Sequence, residues 1–254
     1  LKILNLAIIV SLLGIQSGAQ AATFEQWAQA LKAAPGVFSE LSKFQGLPSE
    51  YIQEFPGFMK NKMINEMQTA IQPLIQKQSC QPRINVQFLK SVSPMAANYP
   101  AVANFESQFI RIELISCLSQ SRASNVAATY LSNEYQKRAF DTVVFSEQRG
   151  ASVCQRTQTT GLGMSEYCYT NQKLELPGTI YINSFNESNR EQVAVPVYFR
   201  EILSAAVDLP SGTLFYSSVY VRSVNFSGFM KTFAKSIISD SQSKAIEVLA
   251  EMSK

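Results

Sequence analysis

Six strand-like runs (142–148, 153–159, 165–171, 179–185, 195–207 and 213–224) succeed one another with only short breaks. The breaks carry turn chemistry: Arg149-Gly150, the glycines at 161 and 163, Pro177-Gly178, the Asn-rich stretch 186–189 and Pro210-Ser211-Gly212. A parallel pair needs a crossover of a dozen or more residues, and no break is that long. The pattern therefore predicts a continuous antiparallel meander. After the meander the chain ends in a single long helix, with Ser227 as its cap and Phe229, Met230, Phe233, Ile237, Ala245, Val248, Leu249 and Met252 as apolar positions. Small polar residues from Ser239 to Ser243 interrupt that stripe.

Upstream of the meander, Phe109 to Ile115 alternates as a strand does. Ser124 then caps a helix carrying Val126, Ala127, Tyr130 and Leu131. Before residue 80 the chain reads as helices punctuated by proline and glycine. Thr23 caps the first, with Phe24, Trp27, Ala28 and Leu31 on one face, and Pro35-Gly36 ends it. A short piece with Val37, Phe38, Leu41 and Phe44 comes next. A longer helix is expected after Pro56-Gly57, kinked or finished at Pro73. Its Met59/Met63/Met67 ladder reads first as a core-facing stripe and second as an adaptable contact surface. Residues 79–104 read as a linker with one short strand at 84–89. The division is thus 1–21, 22–104 and 105–254.

Residues 1–21 read as a secretory signal: Lys2, an apolar run from Ile3 to Ile15, then Ala19-Gln20-Ala21 for cleavage. The run is too short to span a bilayer, where about 20 residues are needed. No other stretch is apolar enough, so no stable membrane insertion is expected. A periplasmic or secreted location makes disulfides the default use of the four cysteines. Cys154 and Cys168 sit seven residues either side of Gly161, which places them opposite one another if the glycines form a hairpin turn. That pairing leaves Cys80 with Cys117.

The chain has no histidine. This removes Ser-His-Asp and Cys-His catalysis and the usual zinc sites, so neither metal nor cofactor is expected. A formal net charge of +3 gives no electrostatic case for nucleic acid. At 46% hydrophobic and 16% charged residues, the chain should build a substantial core.

Strand, helix, antiparallel strands and a long final helix is the order of the helix-grip fold. In that order residues 105–254 resemble the START-like superfamily of lipid-transfer and polyketide cyclase-like proteins. The resemblance implies an α+β fold in which a curved antiparallel sheet wraps the C-terminal helix, here with an N-terminal helical extension. It also implies an apolar ligand between sheet and helix, a lipid or other hydrophobic small molecule, bound without catalysis. The expected lining is Phe229, Phe233 and Ile237 from the helix, Tyr198 and Arg200 from one strand, and Tyr216 and Tyr220 from the next. Arg200 would orient a headgroup or carboxylate, because guanidinium pairs well with planar anions. Two other readings compete. In one the core is self-filled and the helices of 22–80 dock a protein partner. In the other a cyclase- or hydrolase-like enzyme uses Glu113, Glu147, Glu166 or Glu201 as a base, although no pair shows diagnostic spacing.

Overall fold

The computed structural model describes residues 23–33, 41, 44–140, 143–149, 152–159, 163–193, 199–222 and 228–254. The expected signal segment, the cap at Ser227 and the piece around Val37 lie outside them. The helices are α1 (Phe24–Ala33), α2 (Ser49–Gln76), α3 (Pro100–Glu106), α4 (Ala123–Tyr130), α5 (Asn133–Ala139) and α6 (Gly228–Met252). The strands are β1 (Arg83–Phe88), β2 (Phe109–Ser119), β3 (Val143–Arg149), β4 (Ser152–Thr159), β5 (Gly163–Leu176), β6 (Thr179–Val193), β7 (Phe199–Leu209) and β8 (Gly212–Arg222).

All eight strands form one sheet in the order β1-β2-β8-β7-β6-β5-β4-β3, antiparallel throughout. Strands β3 to β8 are the expected meander, and β2 closes on β8. The sheet is a curled half-barrel with α6 on its inner side. Register irregularities at Val143/Phe145 and Cys168/Tyr169 put local bends into β3 and β5. The β7–β8 turn depends on Gly212, whose φ is +137°. A Cβ there would stand 2.3 Å from the Leu118 carbonyl oxygen of β2, so the sheet closes only around a glycine.

Side chains alternate between the two faces, and each face has its own core. On the outer face Leu203, Ala205, Val207, Leu214, Tyr216 and Tyr220 meet α1 and α2. On the inner face Leu114, Leu118, Ala206 and Phe215 meet α4, α5 and the C-terminal half of α6.

Helix α2 starts at Ser49, seven residues before Pro56, rather than after Pro56-Gly57. Tyr51, Phe55, Met59, Met63, Met67 and Ile71 recur every fourth residue and are all buried, and that continuous row carries the helix through the proline. The methionine ladder is therefore core. Pro73 falls in the last turn. Residues 79–104 hold more than a linker and a strand: β1 joins the sheet edge, and a 3₁₀ turn at Pro94–Ala97 leads into α3. A further helix, α5, comes after α4, its first turn capped by the Ser132 hydroxyl, which accepts from the Tyr135 amide.

Candidate ligand site on the inner face of the sheet

Strand register decides which expected site residues can meet. Arg200 of β7 stands opposite Val221 of β8, and Glu201 stands opposite Tyr220. Tyr216 and Tyr220 therefore share the outer face with Glu201, whereas Arg200 lies on the inner face. Both tyrosines are fully buried in the core that α2 forms with the sheet. The Tyr220 hydroxyl donates to the Glu66 carboxylate of α2 at 2.8 Å, and burial pushes the Tyr216 phenol up to about 12. These two residues are separated from Arg200 by the thickness of the sheet. Arg222, on the same outer face, is stacked 4.2 Å from the Phe44 ring centroid and 4.4 Å from that of Phe105.

The expected helix residues lie elsewhere again. Phe229 is 81% exposed, and Phe233 and Ile237 are more than half exposed. The side of α6 that meets the sheet is marked by Ile238, packed with Val86, Ile110 and Ile112, and by Ala245 and Leu249. Ile237 and Ile238 are about 100° apart around the helix axis, which separates an exposed row from a buried one. Tyr198 lies outside the described residues.

What the inner face offers is layered along the strands, with successive side chains on one face about 7 Å apart. At one end Phe215, Ala206 and Ile180 are sealed under α4, α5 and α6. Next come Ser204 of β7 and Ser217 of β8, paired in register, their hydroxyls 3.0 Å apart. The Tyr130 hydroxyl of α4 lies 3.4 Å from that of Ser204. Beyond them Ile202, Val219 and Val221, in the middle of the sheet, are only half-buried, as is Arg200. On the other face of these same strands Leu203, Ser218 and Tyr220 are sealed. Among the described residues, the inner face is thus sealed at one end and only partly covered at the other, where Val219 packs with Ile110, Ile112 and Ile238.

Burial holds the Tyr130 phenol above its ordinary range, while hydrogen bonding to Ser204 and Ser217 and the positive charge of Arg200 pull it back. Three hydroxyls thus meet beside apolar, half-buried sheet surface, with Arg200 farther along the same face of β7. The serines escape sequence reading because a serine in a strand carries no signal of its own. Tyr130 was visible only as an apolar helix position. The register that brings it over Ser204 is a tertiary fact.

The carboxylates considered as bases do not gather there. Glu113 and Glu201 are buried on the outer face, the first bonded to Arg83 and Arg111, the second to Lys60 of α2. Glu166 pairs with Arg156 at 3.1 Å in an exposed position, and Glu147 is half-buried on β3. No His, Cys, Asp or Glu cluster able to hold a metal occurs among the described residues. The structure bonds Cys80 to Cys117 and Cys154 to Cys168, the latter two directly opposed on β4 and β5. No described helix is long and apolar enough to cross a membrane.

No family model and no curated protein matches the chain in sequence. Among solved structures it is similar to human StAR-related lipid transfer protein 5, at 12% identity and a TM-score of 0.43, over 76% of this chain and 97% of that one. It is also similar to human STARD10, at 11% identity and a TM-score of 0.40, over 56% of this chain and 62% of the other. A third similar structure is the di-domain ARO/CYC StfQ from the steffimycin biosynthetic pathway, at 8% identity and a TM-score of 0.43, over 61% and 55%. The match thus covers less than two-thirds of the last two proteins. The helix-grip architecture stands on this chain's own strand order and on the seat of its final helix against the inner face.

Proposed function

We propose that this protein is a secreted or periplasmic carrier for a lipid or other hydrophobic small molecule, held on the inner face of the sheet without chemistry of its own. One observation carries the reading: Ile202, Val219 and Val221 are half-buried at the centre of an eight-stranded sheet whose opposite face is sealed. Leaving aliphatic surface accessible in the middle of a sheet costs about 25 cal/mol per Å², a cost that a bound apolar ligand removes. Two disulfides suit an oxidising compartment, and the lack of histidine suits binding more than acid–base catalysis.

Organic extraction of the purified protein followed by mass spectrometry should release a co-purifying apolar compound. Ile202→Trp, which fills the open end, should abolish that release and leave the melting temperature within a few degrees of the parent. Parent protein that releases nothing and takes up no fluorescent lipid probe would refute the carrier reading.

A second reading, an interaction module, is favoured by the exposed apolar row Phe229, Phe233 and Ile237 on α6. Helices α1 and α2 offer a partner less, because their apolar sides are spent on the sheet. What α2 leaves outward is polar: Gln53, Glu54, Asn61, Asn65, Thr69 and Gln72. If Phe229→Ser and Phe233→Ser together remove a partner yet leave lipid uptake intact, the interaction reading gains at the carrier's side.

A further inference from the structure

We propose that the first three turns of α6 dock this protein peripherally on a lipid surface bearing anionic headgroups. This goes beyond the carrier reading and does not depend on it, because the docking row is exposed whatever the inner face holds. Six large hydrophobic side chains are exposed among the described residues, and four of them stand together here: Phe229, Met230, Phe233 and Ile237. A helix turns 100° per residue, so the four share an arc of about 100° and a length of about 12 Å. Ile238, outside that arc, packs with Val86, Ile110 and Ile112 and holds this half of the helix on the sheet. The fold itself therefore keeps the row outward.

The charges around the row select its occupant. From Gly228 to Ser239 the helix carries Lys231 and Lys235 and no acid, whereas Asp240, Glu247 and Glu251 all fall in its later turns. Lys235 is exposed; Lys231 is half-buried, its ammonium 5.7 Å from the ring centroid of Phe88, the last residue of β1. Lys90, two residues farther on, is exposed at the same end of the sheet. Among the described residues no carboxylate pairs with any of these three cations. Phenylalanines on one side of a helix and lysines on its flank suit a position in the plane of a membrane interface. Each lysine near an anionic surface adds attraction, and its long stem lets the charge reach the headgroups. A second copy or another protein fits less well. Stable interfaces engage roughly 20–30 residues a side, and this row offers four.

The test is co-sedimentation of the purified protein with vesicles of phosphatidylcholine, alone or with about 30% phosphatidylglycerol. The anionic vesicles should bind about tenfold more tightly than the neutral ones. Phe229→Ser with Phe233→Ser should weaken binding to anionic vesicles by about tenfold or more, with a thermal melt that matches the parent's. Lys235→Glu should weaken it about fivefold and leave neutral vesicles unaffected. Equal binding to both vesicle types would overturn the choice of anionic headgroups. Parent protein that sediments with neither, or a double variant that sediments as the parent does, would overturn the docking inference, whatever the uptake of a fluorescent lipid from solution. So would a parent dimer in sedimentation velocity that the double variant abolishes, since the row would then belong to a second copy.

Discussion

Lys60 is 3% exposed, and its ammonium meets the Glu201 carboxylate and, at 2.7 Å, the Asn183 amide oxygen beneath α2. The Asn183 amide in turn donates to Glu201 at 2.6 Å and to the Ile202 carbonyl at 3.0 Å. Such a network is stable only while every member is paired. Lys60→Met should therefore cost about 3–5 kcal/mol, because it strands a buried carboxylate. The double replacement Lys60→Met with Glu201→Leu should recover most of that loss; urea unfolding midpoints measure both. The buried tyrosines make a second prediction at this scale. Burial raises the phenols of Tyr51, Tyr135, Tyr216 and Tyr220 in the fold, well above the ordinary value of 10. Above pH 10 the unfolded chain loses these protons and the folded chain keeps them, so stability present below pH 10 falls as pH rises toward 12. Tyrosinate absorbance should appear together with unfolding in an alkaline titration. Independent titration of all ten tyrosines near pH 10 in still-folded protein would contradict this.

Helices α2 and α6 both carry apolar residues at four-residue steps, and their fates differ. Each such step rotates about 40° around the axis, so four steps turn a row through roughly 160°. Along α2 the winding row meets partners throughout: Tyr51 and Phe55 lie against Phe105, and Met63 and Met67 belong to the same core. Along α6 the row from Phe229 to Ala245 starts in solvent and ends against Leu114, Leu118 and Phe215. Phe233→Ser should accordingly change stability by no more than about 0.5 kcal/mol. Leu249→Ala, by contrast, should cost about 2–5 kcal/mol, since that side chain is 1% exposed. Similar denaturation midpoints for the two variants would mean that α6 seats differently.

For the whole molecule, the question is whether residues 22–80 form a separable unit. Their helices share one core with Phe109, Ile115, Leu203, Leu214, Tyr216 and Tyr220, and Cys80 bonds α2's end to β2. We expect a chain lacking residues 22–80 to lose its near-ultraviolet circular dichroism and bind hydrophobic dyes, because one entire sheet face is laid open. A truncated chain with a sharp melting transition would show that residues 22–80 are a separable unit. Replacing Cys80 and Cys117 together by serine should cost about 4 kcal/mol for the loop of 37 residues that the bond closes.

Order and direction of β3 to β8, the hairpin that opposes Cys154 to Cys168 and the final helix were legible locally, whereas the closing of β2 on β8 and the seat of β1 at the edge were not. Turn residues, alternation and helical spacing are properties of neighbouring side chains, and neighbours in sequence report them. The outcome at Pro56 was legible too, in the spacing of Tyr51 and Phe55 ahead of it, although the proline masked it. Which face of β7 and β8 looks inward was not legible, because alternation defines two faces without saying which is covered by what. A one-residue difference in pairing puts Arg200 and Tyr216 on the same side or on opposite sides, and only the assembled sheet decides. The same holds for Tyr130 over Ser204 and for the exposed half of α6: both depend on where a helix comes to rest, which is settled by surfaces distant in sequence.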